Sequence, residues 1–130
     1  MNTARKILEI KCLSQTLCTN GNSENTNNEL KVLYFIDEYK TVSPQLLISK
    51  LGIVKSNLAL LTKSLIAREL ITSDKSLQDK RAIVYSITTK GKKVLEKHLA
   101  LIAKCVRDEE KTPELISAFD TILAFFNKKV

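Results

Sequence analysis

The chain has 130 residues, 44% hydrophobic and 27% charged, a balance that predicts one globular domain over residues 1–130 rather than a disordered chain. Its net charge of +7 is uneven: residues 43–91 hold eight basic against three acidic side chains, whereas residues 1–42 are neutral and residues 92–130 carry +2. No apolar run approaches membrane-spanning length, the N-terminus lacks the apolar centre of a signal peptide, and three cysteines without metal-type or redox-type spacing argue against a disulfide framework. The expected compartment is the cytoplasm, with no membrane partner.

Taken in chain order, residues 4–18 place Ile7, Ile10, Leu13 and Leu17 on one stripe of an amphipathic helix. Residues 19–28, TNGNSENTNN, read as a polar loop. Residues 29–39 are apolar around most of a helix, with Val32, Phe35, Ile36 and Tyr39 as one stripe, the pattern of a central helix packed on several sides. Ser43 then predicts a cap, Pro44 a first helical position and Gly52 a left-handed stop. After a short link, residues 55–68 form a second helix with Leu58, Leu61 and Leu65 inward. Two short helices joined by a tight turn make a helix-turn-helix.

A hairpin follows. Residues 70–73 read as one strand, and residues 82–88 as another with Ile83, Tyr85 and Ile87 on one face. The intervening DKSLQDKR is too long and too charged for a tight turn. Thr88 caps a helix that runs to about residue 106 with Gly91 in its first turn, and Thr112 and Pro113 open a last helix striped by Leu115, Phe119, Ile122 and Phe126. The fold expected is mainly α with a small β-hairpin wing (α+β): a winged helix-turn-helix over residues 29–105, including a connecting helix, flanked by dimerisation helices in residues 1–28 and 106–130.

The concentrated positive charge points to nucleic acid. With Leu58 at the centre of the buried face, an advance of about 100° per residue turns Ser56, Leu60, Lys63 and Ala67 outward. Lys55, Ser56 and Asn57 open that helix, where they can meet phosphates or base edges, Asn57 by pairing with adenine. Leu60 can meet a thymine methyl, and Lys63 a phosphate. In the hairpin tip Arg81 is the expected minor-groove side chain, Lys75 and Lys80 are expected at phosphates, and Asp79 is expected to order the loop by accepting hydrogen bonds. The terminal stripes, Ile10, Leu13 and Leu17 with Leu115, Phe119, Ile122 and Phe126, are the dimerisation candidates, because the rest of a short chain offers them little cover.

The stretch ITSDKSLQDKRAIVYSITTKG resembles the wing region of the MarR (multiple antibiotic resistance regulator) family. An acid, one spacer and a basic residue match at Asp79 and Arg81, and the Leu-Thr-x-x-Gly run matches at Ile87, Thr88 and Gly91. The resemblance implies a homodimeric winged-helix transcription factor joined through its terminal helices, with a small-molecule or oxidant effector of unspecified identity; an oxidant would act through Cys12 or Cys18. This chain departs from the family pattern at Val54, where a Ser or Thr is usual, at Leu60, where Arg is common, and at Glu69, where Gly is frequent.

Other chemistries find little support. His98 is the only histidine, so a histidine-based metal site or triad lacks a second member, and three glycines leave no phosphate-binding loop. No enzyme activity, metal or cofactor is expected. The partners expected are double-stranded DNA and a second copy of the chain. The alternative is a winged-helix module that binds a protein and touches DNA weakly or not at all.

Overall fold

The computed structural model describes residues 3–16, 24–105 and 113–129. Six helices and three strands follow in order: α1 (Thr3–Thr16), α2 (Glu24–Tyr39), β1 (Thr41–Val42), α3 (Pro44–Leu51), α4 (Lys55–Ala67), β2 (Ile71–Lys75), β3 (Ile83–Ile87), α5 (Thr89–Cys105) and α6 (Pro113–Lys129). The expected Leu17 and Cys18 lie outside the described residues.

The core forms around α2. Its Val32, Leu33 and Ile36 are buried, together with Leu47 of α3, the inward leucines of α4 and Leu95 of α5. α3 has the boundaries its residues specify. Ser43 Oγ accepts the Leu46 N–H at 3.2 Å, Pro44 takes the first turn, and Gly52 closes the helix at φ 66° while its N–H donates to the Ile48 carbonyl. α4 buries Leu58, Leu61 and Leu65, as a 3.6-residue period requires.

The sheet is antiparallel in the order β1-β3-β2. Val42 pairs with Tyr85, and β2 pairs along β3 from Ile71↔Ile87 to Lys75↔Ile83. Beyond this pairing Ser76 N–H donates to the Ala82 carbonyl at 2.8 Å, so the hairpin closes on residues 76–82.

Three expectations need correction and one element was not foreseen. α2 begins at Glu24, inside the stretch read as a loop; once the packed part of a helix is formed, each added residue costs little, so polar residues extend it. β1 is too short to show alternation in sequence and exists through its pairing with β3. Tyr39 lies outside the core and stacks on Phe35 at 6.4 Å. Ile83 shares the face of buried Tyr85 but is exposed, because the wing runs past the edge of the core.

The terminal helices lie apart from this core. Ile7, Ile10 and Leu13 of α1 and Phe119, Leu123 and Phe125 of α6 are exposed in the protomer. Leu115 and Ile122 are half-buried. α1 and α6 face one another across an apolar crevice of about 320 Å³ that includes Ile7, Ile10, Ile122, Phe125 and Phe126. Cys12 is exposed.

Candidate nucleic-acid interface

The interface candidates come from two adjoining elements. α4 offers Lys55, Ser56, Asn57, Leu60 and Lys63, all exposed. Leu60 is 69% exposed, which sets it opposite the Leu58–Leu61–Leu65 stripe. Val54, at the start of the helix, is 61% exposed and makes no side-chain cap. Ala59 is also exposed on this side, a position that the sequence reading passed over although the same helical phase reveals it.

The wing grows directly from the end of α4. Glu69 adopts φ 61°, the left-handed turn that ends many helices. Its N–H donates to the Ile66 carbonyl at 2.9 Å, and the Leu70 N–H donates to the Leu65 carbonyl at 2.9 Å. Arg68 reaches back to Glu29 of α2 at 2.6 Å. Buried Leu70 and Ile71 continue the core into β2, so the hairpin is anchored to α4 rather than tethered loosely.

Thr88 pins the other end of the hairpin. Its N–H donates to the Leu70 carbonyl at 3.1 Å, its hydroxyl lies 2.7 Å from the Glu69 carbonyl, and its Oγ1 accepts the Gly91 N–H at 2.9 Å as the cap of α5. The Thr-Thr-Lys-Gly signal thus ties the start of α5 to the start of β2.

At the tip, Asp79 Oδ1 accepts the Arg81 N–H at 2.9 Å and the Asp79 carbonyl accepts the Ala82 N–H at 3.0 Å. This Asx turn orders the loop locally. Lys75, Lys80 and Arg81 are exposed around it. Leu77 is 104% exposed, an apolar tip that the sequence reading did not single out although it stands alone in a charged loop. Ser56, Leu60 and Lys63 therefore share one face of α4, with Lys55 and Asn57 to either side of it in the first turn. The wing residues share one hairpin, and the covalent and hydrogen-bonded joint at Glu69–Leu70 holds the two together.

A second feature lies behind this surface. A cleft of about 410 Å³ opens among α2, α3 and α5, with Leu30, Phe35, Leu95 and Leu99 on its walls and Lys31 and Lys50 at its edges. Tyr34 also borders it. Burial first, then the Glu38 carboxylate and Tyr39, raise its phenol pKa above the ordinary 10.0, so it stays protonated at neutral pH. Among the described residues, no three His, Cys, Asp or Glu side chains are grouped to hold a metal ion, and no helix is long and apolar enough to cross a membrane.

Comparison with known proteins agrees with this geometry. Residues 26–83 match the MarR family. The chain is similar in structure to BpsR of Bordetella bronchiseptica, whose DNA binding is regulated by 6-hydroxynicotinic acid (TM-score 0.73, 14% identity, 96% of this chain and 92% of that one). It is similar to reduced MarR from E. coli (TM-score 0.70, 17% identity, 97% and 96%). It is also similar to the transcriptional regulator BldR from Sulfolobus solfataricus (TM-score 0.65, 22% identity, 95% and 91%). No curated protein matches the chain.

Proposed function

We propose, from the match of residues 26–83 to the MarR family, that the chain is a sequence-specific DNA-binding transcriptional regulator that works as a homodimer. α4 enters the major groove, and the wing beside it reaches the minor groove with Arg81. The observation that carries this reading is the surface itself: α4 and an ordered hairpin, rigidly joined, present Lys55, Lys63, Lys75, Lys80 and Arg81 to solvent within the segment that holds most of the net positive charge. Such a surface suits a polyanion, with lysines at phosphates and Arg81 in a narrow groove of enhanced negative potential.

Dimerisation would come from α1 and α6, whose apolar side chains the protomer leaves exposed. Two-fold pairing would bring two α4 helices to half-sites about 34–36 Å apart. The cleft bordered by Lys31, Tyr34 and Lys50 is our candidate site for a small-molecule effector, and the regulation of BpsR by 6-hydroxynicotinic acid makes an aromatic acid the ligand class to test.

A salt titration of binding to duplex DNA tests the central reading. Phosphate contacts release counterions, so the logarithm of affinity should fall linearly with the logarithm of salt, by about 0.9 for every phosphate neutralised. Affinity that ignores salt would instead indicate the protein-binding alternative.

A further inference from the structure

The exposed side of α4 mixes hydrogen-bonding side chains with apolar ones. Away from the core α4 exposes Lys55, Ser56, Asn57, Ala59, Leu60, Lys63 and Ala67. Bidentate recognition needs Arg or Lys for guanine and Asn or Gln for adenine. Of that set, Lys55 and Asn57 are exposed in the first turn and Lys63 in the C-terminal half. Asn57 lies one turn before Leu60 and about 60° from it around the helix, so the two border the same surface.

Between Asn57 and Lys63 stand the apolar Ala59 and Leu60, whose exposure folding does not require. α4 already contributes Leu58, Leu61 and Leu65 to the core, while Leu60 is left 69% exposed. On the edges of the bases in the major groove, the apolar group is the 5-methyl of thymine. Basic side chains on the same helix and on the wing supply the charge complementarity that would press this face against DNA.

We propose that Leu60, with Ala59 beside it, reads thymine 5-methyl groups, so that methyl contact adds to the selectivity that hydrogen bonds from this helix supply. The proposal rests on the DNA-binding reading above. It also explains how a recognition helix with Leu at position 60, in place of a long basic side chain, keeps discrimination: the apolar contact distinguishes T from C, which lacks the methyl, and gains the free energy of covering an exposed leucine.

The test begins with duplexes selected by the full-length protein from a random pool. Fluorescence anisotropy then compares the selected duplex with one in which the thymines are replaced by deoxyuridine, which keeps every hydrogen-bonding group and lacks the methyl. Each contacted methyl should be worth about fourfold in Kd. The penalty should shrink toward onefold in Leu60→Ala, whose fold can be checked by thermal melting. Wild-type binding that is indifferent to the exchange overturns the proposal, and so does a penalty equally large in Leu60→Ala, which would assign the effect to DNA shape. Absence of salt-dependent DNA binding overturns this proposal together with the function it rests on, whereas salt-dependent binding without a deoxyuridine penalty overturns this proposal alone.

Discussion

Gly91 and Glu69 show how much single backbone positions decide around the wing. A Cβ at Gly91 would collide with the Leu70 carbonyl oxygen and come within 2.8 Å of Ile87 Cγ1. That carbonyl cannot step aside easily, since it accepts the Thr88 N–H at 3.1 Å. Gly91→Ala should therefore destabilise the protein by about 3 kcal/mol, read as a lower urea midpoint; an unchanged midpoint would mean that α5 shifts freely against β2. Glu69 is the opposite case, a side-chain-bearing residue held at φ 61°. Glu69→Gly removes the left-handed penalty and should raise stability by about 1 kcal/mol, even after the entropy of a more flexible unfolded chain is counted. A drop in melting temperature would show that the Glu69 side chain makes a compensating contact. Glu69 was visible in the sequence as a departure from the family's Gly, whereas the tight fit at Gly91 was not, because its neighbour Leu70 is distant along the chain.

At the scale of elements, α4 and the wing were the most legible parts. Regular leucine spacing set the phase of α4, and that phase alone turned Leu60 outward. The hairpin was legible from alternation and from the charged stretch between its strands, but the order within its tip came from Asp79 accepting the Arg81 N–H. That bond holds the backbone and leaves the Arg81 side chain exposed. Arg81→Ala should weaken DNA binding by about 1–3 kcal/mol, measured by fluorescence anisotropy on protein whose circular dichroism is unchanged. Equal affinities would remove Arg81 from the interface. Tyr39 was misread at this same scale: helical period put it on the Val32–Ile36 stripe, but α2 ends there, and a final turn has no neighbour obliged to cover it. Its ring is met instead by Phe35 and by Lys50 Nζ at 5.9 Å.

At the scale of the molecule, the terminal helices raise a question of cover. Phe119 is 55% exposed, and Phe125 and Phe126 meet edge to face at 5.3 Å beside the crevice shared with α1. Burying one large apolar side chain contributes about 1.5–3 kcal/mol, so a helix with this much apolar surface favours a second copy. Phe119→Asp should shift the protein from dimer to monomer in sedimentation equilibrium and lower its affinity for paired half-sites. A wild-type protein that sediments as a monomer at micromolar concentration would overturn the dimer.

The sequence by itself determined what depends on local periodicity and local chemistry: the amphipathic phase of α4, the Ser43–Pro44 start and Gly52 stop of α3, the Thr88 cap and the charge of the middle third. These features follow from interactions within a few residues, which a linear pattern records directly. Only the tertiary structure decided that Thr41–Val42 forms an edge strand, that α2 extends back to Glu24, that Ile83 stands clear of the core, and that Gly91 packs on the Leu70 carbonyl. The strand and the Gly91 contact depend on partners that chain folding brings close, while the extent of α2 and the exposure of Ile83 depend on where the packed core begins and ends, which sequence spacing does not record.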